Sequence, residues 1–375
     1  MHPGARTDFG PPPHFTALEP RLGFGAWAVG GEGWGAPGGE HDRRAAVERA
    51  LERGITCFDT APTYGHGASE VLLGRALGAH RERVAIATKV GPHDDPHTSL
   101  EASLRRLHSD YVDLVQLHEA RERWEWQLEG LSRLQQEGKA LALGLCNATH
   151  LQIRRALELV PLVSYQGPYN LFDRDVEQRE LPLARERRLA FLAYRPLASG
   201  LLSGKYAAAP PQFPASDHRR GLFWFHGPEF ARRRRVVERL HPIAARLELP
   251  LSALALAWVL AQPGVAVVLA GARTKEQVDE NLSGARHLTP ETLSAIDALV
   301  VEAFRLPRAT SELNAQAATW GERERFIVEH LDGRTSAEAI AAEWTDRGEK
   351  PMIAAQVKVF GDQLAEQGLV VTDNG

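Results

Sequence analysis

Cysteine is nearly absent. Two residues, Cys57 and Cys146, stand in a chain of 375, and both lie inside apolar, strand-like runs. That excludes a disulfide framework and makes a reduced, cytosolic compartment the expectation. Long hydrophobic runs are missing as well: the longest, Leu251 to Ala261, falls far short of the ~20 residues a bilayer demands. It reads as a buried helix. The N-terminal stretch carries no apolar signal core and soon reaches Pro11-Pro12-Pro13, so neither secretion nor a membrane partner is expected. No charge of one sign dominates: the formal net charge of -4 gives no basic field to hold nucleic acid. Lysine is scarce among the 44 Lys and Arg residues.

What is present is the composition of a globular protein, 43% hydrophobic and 25% charged, at a length suited to one large barrel plus a small appendage. From about Arg21 to Leu269 short apolar runs alternate with amphipathic stretches. The strands expected are Leu22–Gly25, Thr56–Asp59, Val84–Lys89, Val112–His118, Leu141–Cys146, Val163–Gln166, Ala190–Tyr194 and Val265–Leu269. Helices are expected between them, at Arg43–Glu52, Ser99–Leu107, Gln127–Gln136 and His150–Leu159 among others. Eight such units close naturally into a (β/α)8 barrel, with a doubly wound open sheet as the competing topology. The glycine cluster Gly30, Gly31, Gly33, Gly35, Gly38 and Gly39 lacks a G-x-G-x-x-G opening a helix, and Trp34 and Pro37 interrupt it. It reads as a flexible loop over the barrel mouth, with Trp27 and Trp34 either walling a substrate pocket or packing the loop.

Past residue 300 the pattern changes. Leu306-Pro307 and a polar stretch through Ala318 read as a linker between a barrel at 16–305 and a mainly helical, winged-helix-like appendage at 310–375. Helical segments are expected near Glu322–Leu331, stopping at Gly333, after the capping box Thr335-Ser336-Ala337-Glu338 with Ile340 and Trp344 inward, and through Ile353, Val357, Phe360 and Leu364 to Gly368. Leu369-Val370-Val371 reads as a short strand.

Polar residues gather at one end of the expected barrel. Asp59, Lys89, Gln166 and Tyr194 end their strands, His118 ends the fourth, Asn147 follows the fifth, and Gly271 to Arg273 follow the eighth. That end of a (β/α)8 barrel carries active sites. Tyr64, in a Gly-rich turn after Asp59, is the candidate proton donor. A phenol with an ordinary pKa of ~10 is a poor acid at neutrality. Lys89, a rare lysine, is expected to favour the phenolate and lower that value, while Asp59 keeps Lys89 charged and oriented. His118 completes a polar wall able to hydrogen-bond a carbonyl oxygen.

The same stretch, Gly54, Phe58-Asp59-Thr60-Ala61, Tyr64-Gly65, Ser69-Glu70 and Leu73-Gly74, closely resembles the aldo-keto reductase fingerprint G-x-x-x-F-D-T-A-x-x-Y-G-x-x-x-S-E-x-x-L-G. Ser103-Leu104, Leu107, Asp110-Tyr111, Asp113 and His118 resemble that family's strand-four signature, and Tyr169-Asn170-Leu171 and Tyr194 to Leu202 its sixth and seventh segments. The resemblance covers roughly residues 16 to 300. It implies Tyr64 as the acid, with Asp59, Lys89 and His118 in support. It also implies a nicotinamide cofactor across the barrel mouth: Asn147 and Gln166 on the carboxamide, Tyr194 stacked on the ring, and Leu197, Gly200 and Leu202 at the pyrophosphate. Gly271, Arg273, Thr274, Gln277, Glu280 and Asn281 look like the adenosine-phosphate clamp, and Arg273, helped by Thr274 or Lys275, suits a 2′-phosphate, so NADPH (NADP) is expected over NADH. Two positions depart from the family pattern: Cys146 replaces the usual Ser and Leu141 a common Arg. A thiol is the weaker hydrogen-bond partner, which bears on cofactor affinity.

Phe326 to Thr335 and Gln363 to Val370 resemble the small peptide-clasping winged-helix domains of peptide natural-product pathways, the PqqD-like family. The function implied is NADPH-dependent reduction of a small aldehyde or ketone to an alcohol, in secondary metabolism. One alternative is a tailoring oxidoreductase whose peptide- or carrier-bound substrate is recruited by residues 310–375. Another is an NADPH-sensing regulatory subunit, as barrel subunits of some potassium channels are. Substrate choice is expected to rest on the loop after the first strand, Trp124–Trp126, and Tyr206–Arg235 with its cluster Leu222-Phe223-Trp224-Phe225.

Overall fold

A computed structural model describes residues 21–35, 39–206, 210–304, 308–309 and 322–331, and beyond these 337, 340–341, 344, 357–358, 360–361, 364 and 370–371. Eight parallel strands close into a barrel in chain order: β1 Leu22–Gly25, β2 Cys57–Asp59, β3 Ala85–Val90, β4 Leu114–Leu117, β5 Leu143–Cys146, β6 Leu162–Pro168, β7 Ala190–Tyr194 and β8 Val265–Ala270. The last closes on the first through Gly23 opposite Leu269. The helices are α1 Glu40–Glu52, α2 Ala68–Leu77, α3 Pro96–Leu107, α4 Trp124–Gln136, α5 His150–Leu159, α6 Glu180–Glu186, α7 Gly227–Arg246, α8 Leu251–Ala261, α9 Lys275–Leu282 and α10 Pro290–Phe304. The closed barrel replaces the open doubly wound alternative. Strand β4 is shorter than Val112–His118 because Val112 makes only an isolated bridge to Ala140.

Side chains alternate across each strand, so one set points into the barrel. That inner set is small: Cys57, Ala85, Ala87, Leu114, Ala142, Val163, Ala190, Leu192, Val267 and Leu269 pack as one buried cluster. Small residues are required there. A Cβ on Gly144 would overlap the Ser164 hydroxyl across the β5–β6 pair. Above this apolar plug the same inward register turns polar, with Lys89 opposite Gln116, Gln116 opposite Gly144 and Cys146 opposite Gln166. Parallel register therefore lifts a ring of polar side chains to the C-terminal rim.

Helix α8 is buried along almost its whole length, as expected of the Leu251–Ala261 run. Among the described residues no single helix is long and apolar enough to cross a membrane. The chain divides into two compact units, Met1–Leu293 and Ser294–Gly375. In the second unit β9 Arg308–Ala309 pairs antiparallel with β10 Val370–Val371, and α11 spans Glu322–Glu329. Phe326, Ile327, Val328, Leu331, Ala337, Ile340, Ala341, Trp344, Val357 and Leu364 form a core there, with Phe360 packed against it. Of the expected linker, Arg308–Ala309 form β9; the rest of it, Gly333, most of the capping box, Ile353, Gly368 and the first 20 residues lie outside the described residues.

Candidate active site

The turn after β2 is held by its own motif residues. Ser69 Oγ donates to the Ala26 carbonyl at 2.8 Å, so the Thr60 hydroxyl, also 2.8 Å away, is the donor to Ser69. Glu70, fully buried, accepts from Thr88 Oγ1 at 2.6 Å and from Arg106 Nε at 2.7 Å. Gly65 has φ 59° and packs so closely on Gly30 that a Cβ would overlap the Gly30 carbonyl. Only glycine fits both demands. These contacts set Tyr64 on the rim.

Beneath Tyr64 lies the fully buried Lys89. Its ammonium meets Asp59 Oδ1 and Oδ2 at 2.7 and 2.9 Å, the Thr60 carbonyl at 2.8 Å and the Tyr64 hydroxyl at 3.2 Å. Three N–H donors thus serve three partners. A lysine N–H occupies a lone pair of the phenol oxygen, leaving the phenol's own hydrogen for the cavity that Tyr64 lines. His118 stands edge-on to Tyr64, ring centroids 6.1 Å apart at 80°.

The electrostatics correct one expectation. Burial pushes the Tyr64 phenol above its ordinary value and outweighs the downward pull of Lys89. A buried oxyanion is so poorly solvated that a single cation does not reverse the direction. Tyr64 is therefore protonated at neutral pH, as a proton donor must be, and Lys89 waits for the charge that forms when the proton leaves. Burial works against the Lys89 ammonium, yet Asp59 and Tyr64 hold it above its usual value. His118 is pushed down to about 3 by burial, with Lys89 adding to it, so its ring is neutral and donates through one N–H. Cys146 is fully buried and burial pushes its thiol up, so it presents no thiolate.

The remaining rim residues are tied to one another. Gln166 Nε2 donates to Asp59 Oδ2 at 2.9 Å; Tyr194 donates to Asn147 Oδ1 at 2.8 Å; Asn147 Nδ2 donates to the His118 carbonyl at 3.0 Å. Gln166 thus supports Asp59, a link that residue order alone does not reveal.

Beside Tyr64 opens a cavity of about 330 Å³. Of the residues the sequence pointed to, Asp59, Tyr64, Tyr194, Leu197, Gly200, Gly271, Arg273, Gln277, Glu280 and Asn281 line it, as do Trp27 and Trp34. Lys89, His118, Asn147, Gln166, Leu202 and Thr274 are not among its lining residues; Thr274 caps α9 by accepting from Gln277 N at 3.4 Å. The Gln277 side chain accepts from Arg273 N at 2.8 Å, Asn281 Nδ2 donates to the Gly271 carbonyl at 3.3 Å, and Glu280 accepts from Ser252. The clamp is therefore prearranged around the strand end.

Ser199, Lys205 and Arg219 are among the lining residues to which sequence reasoning gave no role. Lysine scarcity, which singled out Lys89, applied equally to Lys205; Arg219 carried no signal in an arginine-rich chain. Burial, reinforced by Arg219 and Arg273, pushes Lys205 down to about 8. The buried Ser199 hydroxyl has no partner among the described residues. Arg219 is already paired with Asp217 at 2.6 Å, so Lys205 and Arg273 are the lining cations that could hold a polyanion such as a nucleotide's phosphates.

Of the glycine loop, the described residues 30–35 are pinned rather than loose, and Pro37 and Gly38 lie outside the described residues. Gly33 bridges Asp217, and the Trp34 carbonyl accepts from Arg219 at 3.3 Å and from Arg273 at 3.1 Å. Of the aromatic run, Phe225 is buried against Tyr206 and Phe213, while Phe223 is 40% exposed.

With this geometry in hand, residues 21–301 match the model of the Aldo/keto reductase family. Aldo-keto reductase YhdN of Bacillus subtilis is 35% identical over 285 residues, covering 69% of this chain and 83% of that protein. The NADH-specific methylglyoxal reductase of Escherichia coli is 31% identical over 302 residues, covering 70% and 89%. Among solved structures, the glycerol dehydrogenase AKR11B4 of Gluconobacter oxydans superposes with a TM-score of 0.69 at 33% identity, covering 76% of this chain and 92% of that one.

Proposed function

The chain belongs to the aldo/keto reductase family, whose members are oxidoreductases working with a nicotinamide cofactor, and from that premise we propose that it reduces an aldehyde or ketone to the alcohol with NADPH, Tyr64 giving the proton. When bound, the reduced nicotinamide supplies the hydride. The chain's own residues do the rest. Tyr64 hydrogen-bonds the carbonyl oxygen from the cavity side and passes its proton as that oxygen turns negative. The Lys89 ammonium, 3.2 Å from the phenol oxygen, stabilises the phenolate left behind. Asp59 keeps Lys89 charged, Gln166 orients Asp59, and His118 donates a second hydrogen bond to the carbonyl oxygen. The observation that carries this reading is the Asp59–Lys89–Tyr64 set, buried on one side and open to a cavity on the other.

Lys205 and Arg273 would hold the phosphates, with Leu197, Ser199, Gly200 and Leu202 at the pyrophosphate. Thr274, Gln277, Glu280 and Asn281, with Gly271, would form the adenosine clamp, and Asn147 and Gln166 would take the carboxamide beside Tyr194. The E. coli relative is named as NADH-specific, so membership alone does not choose between cofactors. Arg273, already within the cation cluster, favours the 2′-phosphate. Following NADPH and NADH oxidation with a panel of aldehydes tests both parts. Turnover with NADPH preferred, and an Arg273→Ala variant that loses about tenfold in NADPH KM but little for NADH, supports the reading. No turnover with any carbonyl, or an equal effect of Arg273→Ala on both cofactors, contradicts it.

Recruitment of a peptide by residues 310–375, and the PqqD-like resemblance behind it, gain no specific support from the apolar core and two-stranded pair of that unit, which any small fold has. If deleting residues 306–375 leaves turnover of peptide-borne carbonyls unchanged, the tail has no recruiting role.

A further inference from the structure

Helix α9 has little apolar anchorage. It is eight residues long, and of these Val278 and Asn281 are buried. A helix of two turns does not hold in water by itself, because its nucleation outweighs so few hydrogen bonds. Yet α9 and the strand end before it bring Arg273, Gln277, Glu280 and Asn281 to the cavity. Their placement calls for a second kind of contact.

That contact comes from α1. At 3.6 residues per turn, Asp279 falls on the side of α9 away from Gln277, Glu280 and Asn281. Its carboxylate takes the fork of Arg49: Nε lies 3.1 Å from Oδ1 and 3.2 Å from Oδ2, and Nη2 lies 2.9 Å from Oδ2. Arg53, one turn on at the C-cap of α1, donates from Nη1 to Oδ1 at 2.6 Å. The remaining Arg49 nitrogen, Nη1, turns to Glu52 of its own helix at 3.3 Å. The base is firm, since α1 buries Ala45, Ala46, Val47 and Ala50.

A single exposed ion pair contributes little, because water screens it and two long side chains lose freedom. Here Arg49 and Asp279 are 30% and 37% exposed, the pair is bidentate, and a second arginine shares the carboxylate. Bidentate geometry and a shared network are the conditions under which such pairs count. The loop leading into α1 meets the same segment again, where the Trp34 carbonyl accepts from Arg273 Nη1 at 3.1 Å. One stretch of chain, 34–53, thus grips the segment 273–279 at both ends.

We propose that Asp279, Arg49 and Arg53 are positioning residues for the cofactor. Their ionic clip holds α9 where Gln277, Glu280 and Asn281 meet the adenosine end of a dinucleotide, and it sets affinity without touching that ligand. The proposal rests on the nucleotide reading above. Because the clip serves the whole adenosine end, NADPH and NADH depend on it alike, in contrast to Arg273 and the 2′-phosphate. Its effect falls on binding rather than on proton transfer, since Tyr64 is held by the turn after β2 and by Lys89 on β3.

The test uses the full chain: wild type, Asp279→Asn, Arg49→Gln and the double variant. Three quantities are measured: the Kd values of NADPH, NADH and 2′,5′-ADP by calorimetry, hydride transfer to an accepted aldehyde in a single turnover at saturating NADPH, and amide exchange of residues 271–282 in the free protein. Asp279→Asn should raise all three Kd values about fivefold, speed the exchange, and leave the single-turnover rate within about twofold. The double variant should lose no more than Asp279→Asn, because both changes act through one contact. Unchanged Kd values in Asp279→Asn overturn the proposal. So do losses that add in the double variant, or a single-turnover rate that falls as far as the affinity, which would mean a general disturbance of the site. If wild type binds none of the three ligands, the nucleotide reading fails. Amide exchange then still decides whether the clip orders α9, and exchange unchanged in Asp279→Asn overturns it.

Discussion

Replacing Lys89 by methionine removes a charge while nearly keeping the volume, and the structure sets the size of the effect. Lys89 is fully buried and its partner Asp59 is 4% exposed. Without the ammonium, Asp59 Oδ1 loses its 2.7 Å contact, and Oδ2 keeps only the Gln166 amide at 2.9 Å and Gln116 at 3.5 Å. An uncompensated carboxylate in such a place costs about 3–5 kcal/mol. Adding Asp59→Asn removes the stranded charge, so the double variant should regain most of that loss, a coupling of about 3 kcal/mol. Activity should return in neither, because the phenolate still lacks its cation. The assay is equilibrium urea unfolding of wild type, both single variants and the double variant, followed by tryptophan fluorescence, with NADPH oxidation beside it. Lys89→Met within about 0.5 kcal/mol of wild type, or a double variant no more stable than Lys89→Met, would refute a buried ion pair at the base of the site.

Further outcomes follow from the same geometry. Because His118 is pushed down to about 3, the unfolded chain gains a proton on that ring below pH ~6.5 while the folded chain does not. Stability therefore falls as pH drops through that window, by up to about 1.4 kcal/mol per unit, and His118→Gln should flatten the dependence. The same shift means that kcat/KM shows no limb near pH 6.5; a limb there that vanishes in His118→Gln would contradict it. Lys205, at about 8 in the free protein, should take up a proton when phosphates bind near pH 8.5, seen by calorimetry in buffers of different ionisation enthalpy and absent in Lys205→Met. Gly65→Ala should lower kcat and cost about 1–3 kcal/mol in urea unfolding, since a Cβ there meets the Gly30 carbonyl at φ 59°; a wild-type-like variant would show that the Tyr64 turn is not pinned by that contact.

The barrel was legible because its strands carry their own punctuation. β1 and β7 form over the residues expected of them, and α5 begins at Thr149, whose capping box fixes its start at His150. Where boundaries moved, tertiary pairing decided: β4 lost Val112 to an isolated bridge, and β6 extended to Pro168 because β7 pairs with it as far as Tyr194. The Asp59, Tyr64 and Lys89 association was readable because strand-end positions converge in a closed barrel. His118 was placed correctly on the rim, but its neutral state depends on burial, which no local pattern encodes. The direction of the Tyr64 shift was misjudged for the same reason: charge partners can be read from sequence, desolvation cannot. Lys205, Arg219 and the Gln166–Asp59 bond come from segments far apart in the chain, joined only once the loops cross the barrel mouth.

Carbonyl reduction as proposed depends on Tyr64 as the proton donor. The most direct measurement compares wild type and Tyr64→Phe for the reduction of one accepted aldehyde, with NADPH affinity measured on the same samples by cofactor fluorescence. In Tyr64→Phe, kcat/KM should fall by about 10²–10⁴ while the Kd of NADPH stays within about twofold, because the phenyl ring keeps its stacking on Trp27 and only the proton is lost. A Tyr64→Phe enzyme that retains more than a tenth of wild-type kcat/KM would contradict that role and move the acid elsewhere on the rim.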